Sequence, residues 1–189
     1  MRYFLMSLLL LFALPSMSAP KDDLHAAYTR FLALKSFKAS INATTGTYKS
    51  NSVVEFQAPD RYRIVSEGQA PSLIIGGNMY MNINGRPMKV PVPSLKAMLA
   101  QYRNPDVLKE LEVGVTIESL GSEIINKQAT KKYRFTSRKP FLSSNTVWIA
   151  TATGHIMRVE ANGTMEKKPW HSITNYGDFN NPAIKISAP

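Results

Sequence analysis

Residues 53–90 read VVEFQAPDRYRIVSEGQAPSLIIGGNMYMNINGRPMKV. Val53 to Ala58 has the length of a strand and is stopped by Pro59-Asp60. In Arg61 to Glu67, Tyr62 and Ile64 alternate with Arg61 and Arg63. Ser72 to Ile75 follows, Gly76-Gly77 turns the chain, and Met79, Met81 and Ile83 share one face of the next segment. Asn84-Gly85 is a two-residue hairpin signal, because both residues tolerate the positive φ that such a turn requires. The return segment carries Met88 and Val90. Period-two alternation cut by turn residues predicts short antiparallel strands.

Upstream, Leu24, Tyr28, Phe31 and Leu34 recur at helical spacing, and Asp22 or Asp23 suits the positive end of a helix. A helix is expected over 22–35. The period then drops to two, since Phe37, Ala39, Ile41 and Ala43 alternate with Lys38, Ser40, Asn42 and Thr44. Downstream, 94–112 reads as a helical insert in two pieces. Leu95, Met98, Leu99 and Tyr102 form the stripe of the first, and Asn104-Pro105 opens the second. Strands are expected again at 113–120, 123–126, 130–137, 145–152, 155–161 and 170–176, with turns at Thr153-Gly154 and Asn162-Gly163.

About ten strands in hairpin succession make an antiparallel sheet, and a sheet with one apolar face needs a cover. The expected fold is α+β: a strongly curved, open half-barrel sheet. Its concave face would be covered by the N-terminal helix and the mid-chain insert. An apolar space between sheet and helices follows easily from that arrangement.

The chain starts with Arg2, an apolar run from Phe4 to Leu14, then Pro15, Ser16, Ser18 and Ala19. Positive start, short apolar core and small-residue exit are the parts of a secretory signal peptide. Residues 1–19 are the expected leader, and 20–189 the single domain of the mature protein. The formal charge of +10 becomes +9 when Arg2 leaves. There is no cysteine, which excludes disulfides, thiolate metal sites, a cysteine nucleophile and a lipid-bearing cysteine. A released periplasmic protein is expected. In that compartment a basic protein meets anionic lipid or an acidic protein partner, and nucleic acid is not expected.

Catalytic patterns are missing from the sequence. His25, His155 and His171 have no ligand-type residue at metal spacing. No phosphate-binding loop or nucleophile motif occurs. Glu110 and Glu112 stand two apart at a helix end, where they should not share a face. Neither an enzyme nor a cofactor is expected.

Two patterns point to binding instead. Lys131, Lys132, Arg134, Arg138 and Lys139 surround Tyr133 and Phe135, while Arg61 and Arg63 flank Tyr62. Such alternation marks either the wet face of a strand or an anion-binding surface. Four of the six methionines beyond the leader, Met79, Met81, Met88 and Met98, fall within twenty residues. Flexible thioethers either fill a core or line a site for variable apolar ligands.

Several phrases, in order, resemble the LolA-like superfamily of periplasmic proteins, which includes lipoprotein carriers and receptors, a stress sensor and mycobacterial lipid binders. They are Leu34-Lys35-Ser36-Phe37-Lys38-Ala39-Ser40, Phe56-Gln57-Ala58-Pro59-Asp60-Arg61-Tyr62-Arg63-Ile64, Ile75-Gly76-Gly77-Asn78-Met79-Tyr80-Met81, Leu120-Gly121-Ser122-Glu123 with Tyr133-Arg134-Phe135, and Ile173-Thr174-Asn175-Tyr176-Gly177-Asp178-Phe179. With the opening helix that ends in the first phrase and the terminal Pro189 after the last, they span about 24–189. The resemblance implies an open barrel, lidded by helices, that shelters acyl chains. The family's carrier has a lid-holding arginine just before the proline, where this chain has Ala58. That departure puts carrier-like transfer in doubt but leaves apolar ligand binding.

The residues expected to line the cavity are Tyr28, Phe31, Met79, Met81, Ile83, Leu95, Met98, Leu99 and Tyr102, with Arg61 and Arg63 expected at an anionic headgroup. The expected partner is a lipid or acylated lipoprotein, with an envelope protein partner or peripheral membrane contact as further expectations. A sensor or inhibitor on the same fold is the alternative.

Overall fold

The computed structural model describes residues 19–93, 95, 99, 103, 105–113, 115–138, 142–165 and 167–188. Helix α1, Pro20–Leu32, opens the described chain. It starts two residues before Asp22, with proline in its first turn, so Asp22 and Asp23 lie inside that turn against the positive helix end. Leu24, Ala27 and Phe31 form its buried stripe.

Six strands follow: β1 Ser36–Thr45, β2 Tyr48–Gln57, β3 Arg61–Ser66, β4 Ser72–Ile75, β5 Asn78–Ile83 and β6 Arg86–Val90. Asn84 and Gly85 both have positive φ, 53° and 80°, as the hairpin signal requires. The peptide between Ala58 and Pro59, at the β2–β3 turn, is cis. Helix α2, Asp106–Glu112, is the second piece of the insert. Five strands complete the chain: β7 Ile117–Ile125, β8 Gln128–Ser137, β9 Ser143–Ala150, β10 Ile156–Met165 and β11 Lys168–Gly177.

All eleven strands form one antiparallel sheet, ordered β6-β5-β4-β3-β2-β1-β11-β10-β9-β8-β7. Two meanders, β1–β6 and β7–β11, are joined where β1 pairs with β11, from Lys38 opposite Gly177 to Thr45 opposite Trp170. The sheet curves without closing, so β6 and β7 are free edges. Pro87 and Lys89 on β6, and Glu118 and Glu123 on β7, discourage edge-to-edge pairing.

Two expectations along the strands are corrected. The segments 113–120 and 123–126 are one strand, β7, whose register slips between Ser119 and Ser122, with Gly121 at φ 86°. Asn162-Gly163 is not a turn: Gly163 lies inside β10, opposite Ser143 and Trp170. A Cβ there would come within 2.7 Å of the Leu142 carbonyl oxygen, so glycine allows a close backbone approach and not a change of direction.

The inner, concave face carries the helices. Leu24, Ala27 and Phe31 pack with Phe37, Ala39, Val54, Phe56, Tyr62, Tyr133, Phe135 and Val147, and Leu111 of α2 joins the same core. On the outer face Ile125, Trp148, Ala150 and Met157 form a smaller cluster. The C-terminal segment 178–188 is not a strand. It is fastened to the start of β1, with the Asn180 amide donating to the Ser36 carbonyl and the Lys35 amide to Asn180 Oδ1. Ile184 and Ile186 are buried.

Candidate functional site: the inner face of the half-barrel

The site is built on a run of aromatic rings. Phe31 of α1 lies 5.1 Å from Phe37, Phe37 stacks on Phe56 at 5.1 Å, and Phe56 meets Tyr62 at 5.1 Å, all between ring centroids. Tyr28, one turn before Phe31, stands edge-on to Phe135 at 6.4 Å. Burial pushes the phenol pKa of Tyr28 and Tyr176 above the usual value, so both stay neutral. The helix is also held by charge. Asp23 accepts from Lys131 Nζ at 2.6 Å and from the Tyr133 hydroxyl at 2.5 Å. Burial first, and then that carboxylate, raise the Tyr133 pKa. At its other end Arg30 donates to the Gly154 carbonyl in the β9–β10 turn, at 3.0 Å.

Toward β6 the inner face changes character. Ile74 is fully buried; Met79 and Met81 are half-buried; Ile83 and Met88 are 42% and 50% exposed. The apolar face therefore runs without a break from the core to solvent. Met79, Leu95 and Leu99 pack against the same core as Tyr28 and Phe31, so residues of the strand face and of the helical insert border one apolar cluster. Met81 and Ile83 stand further along that face, toward the free edge. Met98 and Tyr102 lie outside the described residues.

Arg61 and Arg63 are placed differently from the expectation of a headgroup contact beside the cavity. They project from β3 on the face opposite the buried Tyr62 and Ile64. There Arg61 Nη1 donates to the Ile186 carbonyl at 2.8 Å and Arg63 Nη2 to the Lys185 carbonyl at 3.1 Å. Arg63 also pairs with Glu55 at 2.8 Å. Both guanidiniums hold the C-terminal segment to the outer face, because a period-two strand cannot send Arg61 and Tyr62 to the same side.

A cation on the inner face comes instead from Arg103, which sequence reading passed over. Its guanidinium lies 4.6 Å over the Phe56 ring and donates to the Leu32 carbonyl at the end of α1. Burial lowers its pKa and the nearby Tyr62 opposes that shift. The signal was available only as a lone arginine in an apolar helical stretch, with nothing local to say which way it points.

A cavity of about 590 Å³ opens beside α2, lined by Asp106, Lys109, Glu110, Val113, Thr136 and Arg138 among others. Ser137 Oγ donates to Glu110 Oε2 at 2.5 Å. Glu112 faces away toward His25, 3.5 Å off, so the two glutamates do not share a face. His171 lies 3.1 Å from Glu160, and His155 stacks on Phe179 at 4.5 Å. Burial, and then Arg30, lower the His155 pKa. No group of three potential metal ligands occurs among the described residues.

No protein-family profile and no curated protein sequence matches the chain. Solved structures do. The lipoprotein LppX of Mycobacterium tuberculosis superposes with a TM-score of 0.68 at 18% identity, over 89% of this chain and 98% of LppX. LprF of Mycobacterium bovis gives 0.63 at 14%, over 90% and 96%. This chain has the LolA-like fold. MucB shares the LolA-like fold at a TM-score of 0.54 and 12% identity, over 91% of this chain and 64% of MucB, and has also been solved together with MucA of Pseudomonas aeruginosa. The LolA-like fold accounts for the open edges and the helix-covered inner face, while identities this low speak to fold alone.

Proposed function

We propose that this protein is exported to the periplasm and shelters the acyl chains of a lipid or lipoprotein between the inner face of its sheet and its helices. The observation that carries this reading is the apolar strip from buried Ile74 through half-buried Met79 and Met81, which starts in the same core that Leu95 and Leu99 of the insert border. An acyl chain laid along it gains about 0.8 kcal/mol per methylene removed from water, before the cost of association. Thioethers at Met79 and Met81 adapt to chains of different shape. Export is supported by the leader pattern in residues 1–19, and the mature chain should begin within a few residues of Pro20. The histidines at separate positions, each with its own neighbour, favour binding over catalysis.

The test is displacement of a fluorescent fatty acid from delipidated protein. Wild type should bind, and Met81→Glu or Leu99→Glu should abolish binding while the circular dichroism spectrum stays that of wild type. Absence of lipid binding by wild type, or undiminished binding by both variants, sinks the reading.

A second reading, an envelope interaction module that acts as sensor or inhibitor, is favoured by the charged cavity beside α2. Asp106, Lys109, Glu110 and Arg138 suit a polar segment of a protein partner better than an acyl chain. Native mass spectrometry of protein taken directly from the envelope separates the two, since one predicts bound lipid and the other a bound polypeptide.

A further inference from the structure

The β5–β6 hairpin has a composition and an exposure that the core does not explain. Its cross-strand pairs on one face are Met79 with Val90, Met81 with Met88, and Ile83 with Arg86. Directly opposed residues of an antiparallel pair point to the same side, so this face is an apolar ladder that ends in a cation. Its outer rungs stand in water, with Ile83 42% and Met88 50% exposed. Lys89 is exposed on the other face of the same strand, opposite Tyr80. From Gly68 to Pro105 the sequence contains no aspartate or glutamate, while Arg86, Lys89, Lys96 and Arg103 are all cationic. The exposed apolar hairpin lies within this acid-free stretch.

The geometry points to the β5–β6 hairpin as a docking tip for an anionic bilayer surface. Ile83 and Met88 enter the interfacial layer, while Arg86 and Lys89 remain at the level of the lipid phosphates. Apolar side chains at the tip remove their surface from water, and each nearby cation strengthens attachment to a negative surface by about fivefold. Neither contribution is strong alone, and a reversible contact is the result. A protein partner fits less well, because a thin hairpin without acids and with one cation on each face matches a uniform negative plane. The inference adds to the acyl-binding reading: the docked tip would set the half-exposed Met81 and Met79 in line between bilayer and core, an apolar path for a lipid tail.

Co-sedimentation of delipidated protein with vesicles reads docking without reference to cargo. All described elements begin at or after Pro20, so a chain starting there retains every one and is free of the membrane-seeking leader. The expected result is binding to mixed phosphatidylcholine–phosphatidylglycerol vesicles, much weaker binding to phosphatidylcholine alone, and release by salt. Ile83→Asp should weaken partitioning about tenfold or more. Arg86→Glu with Lys89→Glu should erase the preference for phosphatidylglycerol while retaining fatty-acid displacement in solution, which keeps this proposal separate from the cargo reading. Ile124→Asp, at the opposite edge on 73% exposed Ile124, should bind as wild type. Equal binding to neutral and anionic vesicles, no vesicle binding, or equal loss in the Ile83 and Ile124 variants would overturn it.

Discussion

Phe31 in α1 stands edge-on to Tyr176 in β11, with ring centroids 5.0 Å apart and planes at 71°. Since β11 pairs with β1, this one contact ties the helix to the seam where the two meanders of the sheet join. Phe31 is only 5% exposed and also packs on Phe37. Phe31→Ala should therefore cost about 3–5 kcal/mol, the range for an aromatic removed from a rigid core. Urea denaturation checks it, and a cost below about 1 kcal/mol would show that α1 moves as a loose lid.

Alkaline pH should loosen the same helix. The Tyr28, Tyr133 and Tyr176 phenols all have pKa values raised by burial, Tyr133 with the help of Asp23. The fold keeps their protons where the unfolded chain begins to lose them, near the usual phenol value of about 10. The unfolded state then binds fewer protons, so stability is complete below about pH 10 and falls as pH rises beyond it. Melting temperature measured from pH 8 to 12 should show that decline, and Tyr133→Phe should make it shallower.

Asp23→Ala removes the shared acceptor of Lys131 and Tyr133. A buried hydroxyl left without its partner costs about 1–3 kcal/mol. Thermal unfolding should show a loss of that size, and Asp23→Glu should recover part of it.

Gly163 is held to glycine by contact and not by φ. Its Cβ would meet the Leu142 carbonyl oxygen at 2.7 Å, and backbone yields less easily than a flexible side chain. Gly163→Ala should cost about 1–3 kcal/mol through displacement of β9 from β10. A melting temperature unchanged by the substitution would mean that the strand ends separate freely.

On the outer face, Ile186 is 1% exposed and its backbone is gripped on both sides, by Gln57 Oε1 at the amide and by Arg61 at the carbonyl. Ile186→Ala should destabilise by about 2–5 kcal/mol. Limited proteolysis should then cut the C-terminal segment first, and Arg61→Ala should show the same cleavage pattern.

Much of this architecture is local and could be read from the chain. Leu24, Tyr28 and Phe31 at helical spacing, the alternation from Phe37 to Thr44, and Asn84-Gly85 act through neighbours a few residues away, which the sequence itself supplies. The α+β class and the LolA-like resemblance followed from the order of those local signals. That Met79, Leu95 and Leu99 border the same apolar core was also legible, because an apolar strand face and an apolar helix stripe both need cover.

Local pattern could not supply which distant groups meet. Arg61 alternates with Tyr62, so the sequence assigns them to opposite faces, but only the path of 178–188 makes the outer face a clamp for Ile186. Asn162-Gly163 has the chemistry of a turn, yet tertiary packing places it in a strand where Gly163 lets the Leu142 backbone approach. Asp23 and Tyr133 are 110 residues apart, and Arg103 reaches Leu32 across 71. The sequence by itself determined the first helix, most of the strands and the apolar face, since these arise from periodicity and turn chemistry. Only the tertiary structure decided that β1 joins β11 and which charges face inward, because those pairings depend on how the whole sheet curves around α1.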